Sequence, residues 1–353
     1  MKILDRYLGH SVLLSIALVL LVLLVLFSFV TFLAELGHVG KRDYGGMDVV
    51  EYVLLMVPRL AYQLMPMAVM IGTLVGLGML ANNGELTAMR AAGVTVTRVT
   101  AATLKVSLWL IVLAVLLGEI IAPKSEDQAY RLRDKALGYS SVLSSGGFWA
   151  RDGRYYVHIG GLTSAGRLAN IDIYEFDVEQ KLSNMTHAGT AYFESGSWVL
   201  NEVVRSRLNG DVLSVEGLQQ ASWGALMSPK LLEVIDMRPD SMTVPDLYQH
   251  IGYLDRNGLN SLRYQKVLWG KVLMPLSMIV MVLLAVPFIF GSLRSVSLGH
   301  RIMVGVLVGL GYYMLNEIAT YLGVVYEFNP MLGAMIPLTV FAAAAVYMLR
   351  KVM

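Results

Sequence analysis

The sequence has no cysteine, which removes disulfides, zinc–cysteine sites and thiol chemistry. Charge is also scarce. Charged residues are 15% of 353, with 28 Lys/Arg against 26 Asp/Glu and a net charge of +2. An average soluble domain carries roughly 25% charged residues, and a nucleic-acid binder needs a concentrated basic surface. These shortages argue against a soluble enzyme, a disordered chain and a nucleic-acid partner. The sequence contains no G-x-x-x-x-G-K-[ST], no G-x-S-x-G elbow and no H-E-x-x-H. His10, His38, His158, His187, His250 and His300 are scattered without metal-ligand spacing. No catalytic residue, no metal and no cofactor held by this chain are therefore expected. If the protein drives transport, the energy must come from a partner or an ion gradient. The apolar middles of the long runs described next argue against a proton relay.

Apolar length is abundant. Tyr7 to Ala34, Leu60 to Gly84, Val272 to Leu293 and Phe328 to Leu349 contain no Asp, Glu, Lys or Arg. Each exceeds the roughly 20 residues that cross about 30 Å of hydrocarbon as a helix. Val99–Ile121, with Lys105 and Glu119, and Ile302–Tyr326, with Glu317, make six candidate spans. The first run is too long for a secretory h-region and is read as an uncleaved anchor. Lys/Arg in short loops set the orientation. With the N-terminus inside, Lys2, Arg6, Arg90, Arg98, Arg294, Arg301, Arg350 and Lys351 are cytoplasmic, against Lys41 and Arg42 in a short outer loop. Both termini then lie inside and the long middle segment outside. Gly72 with Gly76, and Gly305 with Gly309, have the spacing that lets membrane helices approach closely. Pro58, Pro66, Pro275 and Pro287 lie within spans and are expected to kink them.

The chain divides into 1–122 (three spans), 123–266 and 267–353 (three spans). The middle segment reads as a polar helix from Lys124 to Ala136, then as β structure. Phe148–Ala150 and Tyr155–Ile159 flank an Asp152-Gly153 turn. Ile171–Val178 alternates, with Ile171 and Ile173 on one face. Ala191–Phe193 and Trp198–Leu200 flank residues 194–197, and Val203–Leu208 and Val212–Val215 flank Asn209-Gly210-Asp211. Such spacing points to an antiparallel sandwich or jellyroll-like sheet. Leu247–Asn257 reads as a helix returning to the fourth span. The fold class is an α-helical integral membrane protein, six transmembrane helices arranged three plus three, with an inserted antiparallel β-jellyroll-like domain.

Two groups of polar residues bear on function. In the cytoplasmic segment near 82–92, Glu85, Leu86, Met89 and Arg90 share one face of a short amphipathic helix that Gly93 ends. That face suits a groove on a cytoplasmic partner, or the segment is a solvated interfacial turn. At the outer ends of the spans, Glu35, Arg59, Glu119, Lys271 and Glu317 fall at similar depth, with Lys41, Arg42, Arg131 and Arg133 just beyond. Either they snorkel to water, or they form an ion-pair ring or amphiphilic pathway whose cations suit phosphate.

The stretches LDRYLGH, MPMAVMIGTLVGLGMLANNGELTAMRAAGV, GEIIAP, GGFWARDGRYYVHI and FIFGSLRSVSLGHR together resemble the lipopolysaccharide-export permeases, in order and over essentially the whole chain. The last stretch resembles the G-type subunit more than the F-type. The resemblance implies six spans with a periplasmic β-jellyroll in the bacterial inner membrane, and a heterodimer with the F-type permease subunit. It further implies a cytoplasmic LptB-like ATPase homodimer that uses ATP and Mg, a single-span LptC-like protein, and a periplasmic LptA-like bridge. The lipid would be lipopolysaccharide. Glu85 matches the coupling-helix glutamate. Arg59 and Arg133 match basic positions associated with the headgroup, and Lys41, Arg42 and Lys271 join them as candidates. The family has lysines where this chain has Thr31, Gly37 and His38; Lys41 and Arg42 follow a turn later. Phe27, Val30 and Ile318 are implied acyl-chain contacts, because the first and fifth spans line the lateral gate in that family. A mechanotransmission-type permease that moves periplasmic domains without passing a lipid, and a non-transport scaffold, are the alternative readings.

Overall fold

The computed structural model describes residues 2–137, 148–162, 167–177, 179, 181–194, 197–209, 212–224, 238–290, 298–326 and 329–352. Among these described residues, six helices are long and apolar enough to cross a membrane. They are α1 (Lys2–Leu36), α2 (Gly46–Asn82), α4 (Val96–Leu116), α7 (Leu262–Phe290), α8 (Leu298–Val325) and α9 (Pro330–Val352). A short α3 (Glu85–Ala91) joins α2 to α4. The third apolar helix does not end at Leu116. It passes through a π-helical turn, Leu117–Ile121, directly into α5 (Ala122–Ala136).

The boundaries have local causes. Asp48 Oδ2 accepts the Gly45 N–H at 2.7 Å at the start of α2. Thr95 Oγ1 accepts from Arg98 N at 3.4 Å at the start of α4. Gly93, at φ +87, closes α3 as expected. Its N–H reaches Arg90 O and the Val94 N–H reaches Met89 O, each at 3.0 Å, which is the pattern of a left-handed C-cap.

Helix α2 is the centre of the bundle. Of its most apolar window 83% is buried, against 22% for α1 and 11% for α8; the last two keep broad faces open to lipid or to another chain. The glycine pairs explain two of the contacts. A Cβ on Gly72 would stand 2.4 Å from Ile16 Cα, and one on Gly76 would stand 3.0 Å from Val12 Cα, both on α1. Gly305 and Gly309 of α8 face Leu74 and Met67 of α2. Hydroxyls buried in α4 are satisfied locally: Thr100, Thr103 and Ser107 each donate to the carbonyl four residues earlier.

The inserted domain is a six-stranded antiparallel, jellyroll-like sheet with strands in sequence order. The strands are β1 (Phe148–Asp152), β2 (Tyr155–Leu162), β3 (Leu168–Phe176), β4 (Leu182–Glu194), β5 (Ser197–Asn209) and β6 (Val212–Trp223). Ile171 and Ile173 are buried, as the alternation requires. The first turn falls one residue later than the sequence signal. Asp152 pairs with Tyr155, and Gly153 (φ +56) and Arg154 form the loop, because the left-handed first position needs the glycine. Strands β4 and β5 are longer than expected. Polar Asn184, His187 and Asn201 interrupt the apolar pattern, yet each is paired in the ladders on both sides, while Ser183 falls at a register shift opposite Glu175 and Phe176, and Glu202, at φ +56, is passed over. Helix α6 (Val244–Arg256) returns toward α7 and begins with a reciprocal Thr243–Asp246 cap. Its Tyr253 and Leu254 complete the core under Val157, Ile159, Ile171 and Ile173. Val178, the tips at 195–196 and 210–211, and the 291–297 part of the loop that carries Arg294 lie outside the described residues.

Candidate functional site

The helix ends form two polar layers. At the end away from the sheet, Arg98 Nε lies 3.4 Å from Asp5 Oδ1 and Lys105 Nζ 3.8 Å from Asp5 Oδ2. Tyr7 Oη donates to Glu85 Oε2 at 2.8 Å, and Asn83 Nδ2 to Glu85 Oε1 at 3.3 Å. Arg301 of α8 is fully buried and donates to the Gly78 carbonyl of α2 at 2.6 Å, where a cation complements the C-terminal helix dipole.

Helix α3 orients differently from the expected docking face. Leu86 is 3% exposed and Met89 packs against the bundle core. Glu85 is half-buried, and only Arg90 of the four is exposed, 5.8 Å from the centroid of the Phe290 ring. The outward surface is made by Thr87, Ala88, Arg90 and Ala91. The i, i+3, i+4 pattern marks an apolar face; it does not say whether that face meets a partner or the chain's own bundle, and a seven-residue helix between two spans needs the bundle to hold it. Leu86, Thr87, Arg90, Ile289 and Phe290 border a cleft of about 410 Å³ beside α3.

At the sheet end the charges are mostly paired. Arg59 forms an ion pair with Glu126, which is 1% exposed, and donates to Tyr130 Oη at 3.1 Å. Asp240 stands 3.8 Å away. Arg133 Nε lies 2.6 Å from Glu35 Oε1, and Tyr44 Oη donates to the same oxygen at 3.1 Å. Burial, then the Glu35 charge, pushes the Tyr44 hydroxyl above its ordinary value. Lys271 Nζ donates to Gly118 O (3.1 Å), Glu119 Oε1 (3.3 Å) and Met242 O (2.7 Å). Lys266 pairs with Glu317 at 3.1 Å. Arg238 pairs with Asp134 at 3.8 Å and stacks 3.7 Å from the centroid of the Tyr130 ring.

Of the five candidate headgroup cations, Arg59, Arg133 and Lys271 are therefore held by the protein's own oxygens. Lys41 and Arg42 are exposed on the α1–α2 loop, with Lys41 Nζ 3.2 Å from His38 Nδ1 and Arg42 at φ +51. Phe27 borders a cluster that includes Val19, Leu23 and Val306 of α8, while Val30 and Ile318 are 55% and 52% exposed. The sequence reading missed Glu126, Asp240 and Tyr7. A signal for Glu126 existed, since an arginine at membrane depth requires an acidic partner.

Six apolar helices with an antiparallel sheet inserted between the third and fourth define a multi-pass membrane protein with an extramembrane domain built into its chain. The family model described as "Lipopolysaccharide export system permease LptF/LptG" matches residues 6–351. The chain is 34% identical over 354 residues to "Lipopolysaccharide export system permease protein LptG" of Escherichia coli (strain K12), covering 99% of this chain and 98% of that protein. It is also 34% identical over 351 residues to the protein of the same description from Haemophilus influenzae, covering 99% and 98%. The chain belongs to the LptF/LptG family of lipopolysaccharide export permeases.

Proposed function

We propose that this chain is the transmembrane permease subunit of an ABC transporter. It extracts lipopolysaccharide from the outer leaflet of the inner membrane and passes it to a periplasmic bridge toward the outer membrane. The observation that carries this reading is a family match spanning both the six helices and the inserted sheet. The chain lies in the bacterial inner membrane with both termini cytoplasmic and the sheet periplasmic, in keeping with the bias of short-loop Lys/Arg.

ATP and Mg are used by a separate LptB-like ATPase homodimer, which docks at α3 through Glu85, Thr87, Ala88 and Arg90. An F-type permease subunit packs on the open faces of α1 and α8, and an LptC-like protein and an LptA-like bridge receive the lipid. Lys41 and Arg42 meet the lipid's phosphates first, because they are exposed; Arg59, Arg133 and Lys271 shape the rim behind them. Phe27, Val30 and Ile318 face the acyl chains. Reconstitution with the F-type subunit, the ATPase and the bridge proteins in liposomes tests this. ATP-dependent lipopolysaccharide transfer is expected only when this chain is present, and equal transfer without it refutes the proposal.

A further inference from the structure

The second polar layer contains a junction that pairing alone does not explain. Glu119 sits in the π-helical turn Leu117–Ile121 and serves two elements at once. Its Oε1 takes Lys271 of α7 at 3.3 Å, and its Oε2 accepts the Val244 N–H at 2.7 Å, the first residue of α6. A carboxylate there answers both an unsatisfied N–H and the positive end of the helix. Lys271, 9% exposed at its side chain, spends its three protons on Glu119, Gly118 O and Met242 O. Gly118 is pressed against Tyr62 of α2, where a Cβ would come within 2.4 Å of the ring. The third span, the fourth span and the foot of α6 thus meet at one residue.

The far end of α6 is fixed just as specifically. Tyr253 Oη donates to Arg151 O at 3.0 Å, and Asn257 Oδ1 accepts the Gly153 N–H at 2.9 Å. Both bonds reach the β1–β2 hairpin, one to its Arg151 carbonyl and one from its Gly153 N–H, and Tyr253 and Leu254 are buried in the sheet core. A single α-helix therefore runs from the ion pair in the membrane rim to the first hairpin.

We infer that α6 is a strut that sets the bearing of the sheet on the membrane helices, and that Glu119 is the positioning residue at its foot. Movement of the third and fourth spans is delivered to the β1–β2 hairpin through α6. The transport consequence rests on the permease reading above; the mechanical one does not.

The test uses the full chain in its reconstituted complex. The parent chain has no cysteine, so Lys124→Cys and Val215→Cys, both exposed, carry its only thiols for a pair of spin labels attached before the complex is assembled. A narrow distance distribution is expected in the parent. Glu119→Gln at the foot and Asn257→Ala at the far end should each broaden it. Both should lower lipopolysaccharide moved per ATP by about fivefold or more while ATP turnover persists. The exchange Glu119→Lys with Lys271→Glu restores opposite charges but offers no acceptor to Val244 N–H, so the distribution should stay broad. A distribution that stays narrow in Glu119→Gln and Asn257→Ala overturns the strut. A narrow distribution in the exchange variant reduces Glu119 to an ordinary ion-pair partner and overturns its positioning role. If the parent moves no lipopolysaccharide, the permease reading fails while the distance measurement still decides the strut.

Discussion

Arg133 Nε and Glu35 Oε1 lie 2.6 Å apart and join the C-terminal end of α1 to the C-terminal turn of α5. The Glu35 side chain is 8% exposed, and the Tyr44 hydroxyl bonds to it from the next loop. The cation is thereby committed to a buried carboxylate of its own chain. Glu35→Gln keeps the shape and the acceptor while removing the charge. It should free Arg133 for anions, seen as stronger crosslinking of lipopolysaccharide at neighbouring positions. Weaker crosslinking would show that the pair itself builds the contact.

Arg59 and Glu126 make a comparable pair in a more buried place. Removing only Arg59 leaves an uncompensated carboxylate, which costs about 3–5 kcal/mol in buried pairs. Arg59→Met should therefore lower the detergent melting temperature sharply. Adding Glu126→Leu should recover most of the loss, since an apolar pair of similar volume tolerates burial. Thermal unfolding of the two single variants and the double variant measures the coupling.

Gly72 allows α1 to touch α2 backbone to backbone, with no flexible side chain to give way near Ile16 Cα. Gly72→Ala is expected to cost about 1–3 kcal/mol, the range for overpacked cores. The same change at Gly217, where nothing stands within 4 Å of the added carbon, should leave the melting temperature nearly unmoved.

Helix α3 separates packing from docking. Leu86→Ala empties a buried site and should cost about 2–5 kcal/mol, with ATPase affinity unchanged once the protein is folded. Arg90→Ala should do the reverse: little change in melting, and weaker association with the ATPase in a pull-down titration. If Leu86→Ala alone weakens association, the inward face is part of the dock.

His250, on α6, is 3% exposed, its ring 4.4 Å from that of Tyr264, with Nδ1 unpartnered. Burial lowers its pKa from the ordinary 6.5. The folded protein thus binds fewer protons there than the unfolded chain. The contribution is complete above pH 6.5 and is lost as pH falls from there through the lowered folded value. His250→Phe should flatten this acid dependence in melting curves taken between neutral and mildly acidic pH.

Much of the fold is legible in sequence because its causes are local. A charge-free run finds the hydrocarbon whatever surrounds it, and Gly93 ends α3 and Gly153 turns β1 into β2 through backbone freedom alone. The pairs Gly72/Gly76 and Gly305/Gly309 announced close helix contact, and α2 is where both contacts fall. The charges at the sheet end of the helices were visible as a group, but their assignment was not. Arg59 finds its partner 67 residues away, Lys271 finds Glu119 152 residues away, and Glu119 finds Val244 125 residues away.

By itself, then, the sequence determined six apolar spans and a more polar domain between the third and fourth, since each follows from how short stretches partition between lipid and water. Only the tertiary structure decided that Arg59, Arg133 and Lys271 are held by the protein's own oxygens, that Leu86 and Met89 face inward, and that one carboxylate joins two spans to the helix under the sheet. Those outcomes depend on groups brought within hydrogen-bonding distance by packing, where burial makes an unpaired charge too costly to leave alone.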